Sequence, residues 1–201
     1  MGGRDYDGQV IHRHRTGDSA DRTSITPLNG ELIVTQDGPS PRVWAQGDTP
    51  IAGGYLVGPA GKCYVHQSAN QDIGTFTAFP WNQQRTVTPE FTHSTSTSNS
   101  EVTVEEDGEY NIEANLSLLF VNATTFEIDI QRYNGSSWNT LPGGKAIVSG
   151  AASSSANLHA VVSVGLLATW KIRVLAFNFL FATGNTTVYG TFGNLNITRI
   201  R

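Results

Sequence analysis

The most regular pattern in the chain is a two-residue alternation. Tyr110, Ile112, Ala114, Leu116 and Leu118 fall on one side, with Asn111, Glu113, Asn115 and Ser117 on the other. A period of two puts alternate side chains on opposite faces of a pleated strand, so the segment is predicted as a half-buried β-strand. The same period recurs at Val102-Thr103-Val104, ending in a turn at Asp107-Gly108, and at Phe126, Ile128 and Ile130. A hairpin-type Asn134-Gly135 turn then leads to Ser137-Trp138-Asn139. Leu158, Ala160 and Val162, then Trp170, Ile172, Val174 and Ala176, then Leu195, Ile197 and Arg199 continue the series. A further strand is predicted around Gly74 to Phe79, stopped by Pro80. The Ser149 to Ser155 tract between two of these runs is low in complexity and is predicted as an exposed loop. No segment carries a helical apolar stripe. Leu175 to Phe181 is apolar on both faces, which predicts a subunit interface in place of one wet side, the alternative being a strand sandwiched under a loop.

The beginning of the chain reads differently. Residues 1 to about 25 are polar, with both signs of charge, and are predicted as an extended arm with one helical turn near Ser19 to Arg22. Glu31 to Thr35 and Arg42 to Ala45, joined through Asp37-Gly38-Pro39, predict a hairpin. The glycine-rich segment from Gly47 to Gly61 cannot be a helix. Two parts are therefore expected, an arm and hairpin anchor over 1–70 and an antiparallel β-sandwich over 71–201. The first is too small to be stable alone, so it needs a partner or an oligomer.

Composition fits an all-β chain: charged residues make up 15% of the 201, against about 25% in an average soluble domain, and Ser, Thr, Asn and 21 Gly fill the gap. The net charge is −4, and Lys62, Lys145 and Lys171 are the only lysines, so no basic field exists to hold a nucleic-acid backbone. Cys63 is the single cysteine, which excludes an intrachain disulfide and a thiol-rich metal site. Neither a signal-peptide h-region nor a run of 18 apolar residues is present, so no membrane partner is expected and the five Asn-x-Ser/Thr sites carry no weight. The acidic cluster Glu105, Glu106, Asp107 and Glu109 lacks the ligand spacing of a calcium loop and reads as a solvated turn.

Several landmarks resemble the jelly roll of tumour-necrosis-factor-type cytokines and complement-type globular heads. Asp107-Gly108-Glu109-Tyr110-Asn111-Ile112 matches the family's turn and strand opening, and Gly193-Asn194-Leu195-Asn196-Ile197-Thr198-Arg199-Ile200 matches its closing strand. Val164 to Val174 matches its penultimate pair in part, with Ala168-Thr169 where the family has Gly-Asp. The resemblance spans roughly residues 72 to 201 and implies a homotrimer; Tyr110, Phe177, Phe179 and Tyr189 are candidates to line its axis or, equally, the monomer core. The N-terminal part resembles a module at the start of tailed-bacteriophage fibre and virion proteins. It has His14-Arg15-Thr16-Gly17, Leu28-Asn29-Gly30-Glu31-Leu32, Asp37, Arg42-Val43-Trp44 and Gly47-Asp48-Thr49-Pro50-Ile51-Ala52-Gly53-Gly54, without the glycine that follows the aspartate in that module. This resemblance implies virion attachment, with His12, His14, Arg15, Gly30, Glu31, Asp37, Trp44, Gly53 and Gly54 as candidate attachment residues.

Catalytic and metal chemistry are weakly represented. His12-x-His14 places two imidazoles on one side of a strand, but no acidic or cysteine ligand accompanies them, so contacts to a partner are expected there and no cofactor. Glu127 and Asp129 are the one close carboxylate pair, and their alternation with Phe126, Ile128 and Ile130 marks them as the wet face of a strand. No Gly-x-Ser-x-Gly elbow, phosphate loop or His-Glu-x-x-His is present, so no enzyme is expected. The expected function is a capsid decoration or head-fibre protein on the virion surface, assembled in the host cytoplasm and partnered by itself and by the major capsid protein. The alternative is a short tail-fibre protein attached to tail or neck, with Ser94 to Ser100 and Ser149 to Ser155 recognising a host surface such as a glycan. A secreted signalling ligand is disfavoured by the missing signal peptide.

Overall fold

A computed structural model describes residues 61–73, 76–179 and 193–200 with side chains, and 14–17, 32–35, 42–45, 55–56 and 186–188 as backbone. The chain divides into two compact units between Ala60 and Gly61. In the first unit, strands β1 (His14–Gly17), β2 (Leu32–Thr35), β3 (Arg42–Ala45) and β4 (Tyr55–Leu56) form one sheet in that order. The β2–β3 pair is the antiparallel hairpin that the sequence predicts, whereas β1 lies within the expected arm and adds to β2 in parallel, His14 opposite Leu32. Ser19 to Arg22 lies outside the described residues.

The second unit is a sandwich of two sheets. The first runs β13 (Trp138–Gly150), β12 (Thr124–Tyr133), β15 (Lys171–Asn178), β10 (Val102–Val104) and β9 (Phe91–His93), with β7 (Phe76–Ala78) also on β15. In the second, β14 (Ser154–Leu166) pairs β11 (Gly108–Phe120), which pairs β17 (Asn194–Arg199), then β5 (Lys62–His66) and β8 (Gln83–Val87). Beyond β17, β16 (Thr186–Val188) continues along β11 and pairs β6 (Gln71–Asp72). All pairings in this unit are antiparallel. Residues 62–66, assigned from sequence to the anchor, belong here because β5 is laddered to the closing strand, with Cys63 opposite Ile197.

The core forms where the two alternating faces meet: Ile112, Leu116 and Leu118 from β11, Ile128 and Ile130 from β12, Val174 from β15, and Leu195 and Ile197 from β17 are all buried. Cys63 lies among them, and burial pushes its thiol up to about 12, which keeps it protonated and unreactive. Within the tract 149–155 only 151–153 form an exposed turn, shorter than the loop expected. Strands β13 and β14 run to Gly150 and from Ser154, because β11 stays in register with β14 as far as Phe120 opposite Ser154 and leaves three residues to turn. Pro142-Gly143-Gly144 sits at a bulge where β12 slips against β13 between Asp129 and Gln131; Gly143 has φ +81°, and β13 is an edge strand, where a missing N–H is tolerated.

Candidate functional site

Three places in the sandwich gather chemistry. At one end, Glu105, Asp107 and Glu109 are exposed as expected of a solvated turn, while Glu106 and Asp107 also tie the turn into the fold. Arg199 is buried on β17 beside Tyr110, and its Nη1 meets Glu106 at 2.5 Å while Nη2 donates to the Asp107 carbonyl at 2.7 Å. Asp107 Oδ1 accepts the Ala168 N–H at 2.6 Å, tying this turn to the β14–β15 connection. The Tyr110 hydroxyl donates to the Glu106 carbonyl at 2.5 Å and its ring packs edge-on to Phe91. Burial, opposed by the Arg199 charge, raises the Tyr110 phenol to about 12. Fully enclosed by its own chain, Tyr110 is core and does not line an axis between subunits.

The outward face of the first sheet is the second place. Register aligns Ile147, Glu127, Phe177 and Phe76 across four strands, and the next row aligns Lys145, Asp129, Leu175 and Ala78. The Phe76 and Phe177 rings meet edge-on at 4.5 Å, Phe76 is 62% exposed and Phe179 44%. The apolar second face of the Leu175 segment is thus real, and it lies outward. Glu127 and Asp129 are 8% and 5% exposed, so they are not a wet face. Strand β12 runs between two neighbours, and Lys145 lies over both carboxylates, 2.5 Å from Glu127 and 3.5 Å from Asp129. The hydrogen bond to Glu127, with Asp129 adding to it, raises the Lys145 pKa. A lysine locked to the pair leaves neither carboxylate placed to act as a general acid in a cleft. Further along, Thr140 donates to Asp129 at 3.0 Å and Arg173 Nε donates to Gln131 at 2.9 Å.

The outward face of the second sheet is the third. Here β5, β17, β11 and β14 align His66, Asn194, Asn115 and His159 in one row, and Tyr64, Asn196, Glu113 and Val161 in the next. Asn115 donates to Asn194 at 3.2 Å and Ser117 to Asn157 at 2.7 Å, whereas His66 Nδ1 and Asn196 Oδ1 are buried without a hydrogen-bond partner. Strand β14, thirteen residues without a charge, pairs β11 along one edge and no described strand along the other.

The predicted site residues are not gathered into one place. Tyr110 is core, Phe177 and Phe179 lie on the outward face of the other sheet, and Tyr189 lies outside the described residues. Of the attachment residues, His14 and Arg15 are on β1 and Trp44 on β3, where Trp44 and Arg15 both stand opposite Ile33. His12, Gly30, Glu31, Asp37, Gly53 and Gly54 lie outside the described residues. Among the described residues no three His, Cys, Asp or Glu side chains converge. The signal for the Arg199 clamp was present in sequence as an acidic turn and an arginine in a core-facing position, separated by some ninety residues.

No protein-family model matches the chain, and no curated protein matches it in sequence. Solved structures do match its fold. The structure of Eiger TNF from S. frugiperda superposes with a TM-score of 0.58 at 14% identity, over 72% of this chain and 94% of that one. Murine APRIL at pH 5.0 gives 0.56 at 12% identity, over 70% and 99%. The globular domain of zebrafish complement 1qA protein gives 0.51 at 11% identity, over 70% and 98%. These likenesses place the second unit in the jelly-roll fold of tumour-necrosis-factor-like and complement-head-like domains.

Proposed function

We propose that the chain is a self-associating, trimeric structural module of a bacteriophage virion, a capsid decoration or head-fibre protein held through its N-terminal unit. The observation that carries self-association is strand β14. A thirteen-residue edge with no charge, no proline and an outer side that no described strand pairs is what monomeric β-proteins avoid. Val161 on it is 46% exposed, and the sheet beside it holds His66 and Asn196 atoms that a neighbouring subunit would satisfy. The jelly-roll resemblance favours three copies. The virion role rests on the sequence landmarks from His14 to Gly54, which resemble phage attachment modules.

Light scattering on the full chain tests the assembly: a mass about three times 21.7 kDa is expected at micromolar concentration, and a monomer overturns it. Val161→Lys is expected to dissociate the oligomer, while Ile147→Lys, on the outward face of the other sheet, leaves it intact. Antibody labelling of particles tests location. Hundreds of copies over the head support decoration, and a few copies at one vertex support a tail receptor-binding role. The latter is favoured by the Ser94 to Ser100 loop, which presents hydroxyls and is anchored where the Asn99 carbonyl accepts the Trp81 N–H at 2.8 Å.

A further inference from the structure

Three cations lie on the outward face of the first sheet, and they are not equivalent. Lys145 is paired with Glu127 and Asp129, and Lys171 with Glu101 at 2.8 Å. Arg173 lies two residues along β15 from Lys171, yet among the described residues no carboxylate stands within ion-pair distance of it. Its guanidinium is nevertheless held in place. Nε donates to Gln131 Oε1 at 2.9 Å, and the guanidinium carbon stands 4.0 Å from the centre of the Trp138 ring. Gln131 in turn donates to Thr140 at 3.3 Å, Thr140 donates to Asp129, and Trp138 leans on Tyr133 at 5.4 Å. The fork is therefore oriented from two sides, while its terminal amino groups donate to no described protein acceptor. Partial burial holds Arg173 below its ordinary range, with Glu101 acting more weakly in the opposite sense. A guanidinium in this state gains when an anion arrives.

We infer that Arg173 and Trp138 are the centre of a binding site for a carboxylate-bearing sugar. A planar fork with free terminal donors matches a carboxylate through two parallel hydrogen bonds, which a lysine cannot reproduce. The surroundings match the rest of a sugar. Thr140 is exposed on the same outward face beside the fork, and its hydroxyl, which donates to Asp129 and accepts from Gln131, keeps one lone pair for a sugar hydroxyl. Tyr133 and Trp138 supply apolar ring surface of the kind that covers a sugar's C–H face. An acidic peptide suits the site less well, because Lys145 and Lys171 already have carboxylates and only one negative charge is left to match. The site deepens the surface-recognition reading above by naming a ligand chemistry, and it depends on neither the trimer nor the virion.

The test is a titration of the full chain, followed by tryptophan fluorescence and calorimetry, with oligosaccharides containing glucuronate, galacturonate or N-acetylneuraminate, with their neutral counterparts, and with a glutamate-rich peptide. Saturable binding of at least one acidic sugar is expected, with its neutral counterpart weaker by roughly tenfold or more, equivalent to about 1.4 kcal/mol. Arg173→Met abolishes that binding, and Arg173→Lys, which keeps the charge and the fold, weakens it. Lys171→Met leaves it within about twofold, well under 1 kcal/mol. Absence of saturation with every acidic sugar, equal binding of acid and neutral forms, unchanged binding by Arg173→Met, or tighter binding of the peptide would each overturn the assignment. The light-scattering mass is a separate readout, so failure here leaves the assembly proposal standing.

Discussion

Replacing Arg199 with methionine removes a cation that closes one end of the sandwich while keeping most of its aliphatic volume. In the native chain Arg199 makes two charge-assisted contacts, to the Glu106 carboxylate and to the Asp107 carbonyl, with side-chain exposures of 10% for Arg199 and 29% for Glu106. Breaking a buried ion pair from one side costs about 3 to 5 kcal/mol. Water can reach Glu106 and re-solvate it, so the lower end applies, and Arg199→Met is expected to destabilise by about 3 kcal/mol. Arg199→Lys keeps the charge but loses the second arm of the fork, and is expected to cost about 1.5 kcal/mol, the low end for one hydrogen bond to a charged group. The assay is equilibrium urea unfolding at fixed chain concentration, since self-association makes apparent stability depend on concentration. With Glu106→Gln added, the double variant should lose less than the sum of the single losses, because the two residues share one interaction. A loss below about 0.5 kcal/mol for Arg199→Met, the size of an ordinary surface substitution, would refute the clamp.

Three other outcomes follow from the same geometry. Gly150 lies against the Phe120 ring, where an added Cβ would stand 2.1 Å from ring carbon Cδ2, so Gly150→Ala forces the ring or the β13 end to move. A loss of about 1 to 3 kcal/mol is expected in urea unfolding, and a neutral result would show that the approach is not tight. Thr169 has φ +72°, a left-handed conformation for a β-branched residue. Relief of about 1 to 2 kcal/mol of strain against about 0.5 to 1 kcal/mol of chain entropy makes Thr169→Gly stabilising by up to about 1 kcal/mol, and a lower melting temperature would contradict this. His93 is held neutral: Gln84 Nε2 donates to its Nδ1 at 3.0 Å and to its carbonyl at 2.6 Å, and its Nε2 donates to the Asn99 carbonyl at 3.1 Å. Burial lowers its pKa below the ordinary 6.5, with the Asn99 carbonyl opposing. The unfolded chain then binds the proton more readily, so stability falls as pH drops through 6.5 toward the lowered value and levels off beneath it. Thermal midpoints compared between about pH 7.5 and about pH 5.5 should show this drop, and His93→Gln should lessen it.

The candidate surfaces were legible only in part. Phe177 and Phe179 stand out in sequence because the segment is apolar on both faces, and the outward face of β15 bears that out. Tyr110 shares their chemistry and sits in an equally regular strand, yet it is core. Nothing local distinguishes an aromatic that meets Phe91 and Arg199 of its own chain from one that meets a neighbour. Arg173 gave no signal of its own, since its meaning depends on Trp138 and Gln131 on other strands and on carboxylates that pair elsewhere.

What the sequence determined by itself was the presence of the main strands of the second unit, β10, β11, β12, β14, β15 and β17, and the face each turns inward. Both follow from a two-residue period that neighbouring side chains enforce directly, and the order of landmarks from Asp107 to Ile200 was enough to place the fold. What only the tertiary structure decided was which strands become neighbours and what lies over them. Glu127 and Asp129 alternate as a solvated face would, but β12 sits between β13 and β15, and Lys145 reaches across from eighteen residues away to enclose them. The tract at Ser149 to Ser155 looks like a loop, but β12 holds Ser149 and β11 holds Ser154 and Ser155 in backbone ladders, leaving only a three-residue turn. In both cases the deciding contact comes from a segment distant in the chain, and a hydrogen-bond ladder or an ion pair leaves no mark in the local pattern of apolar and polar residues.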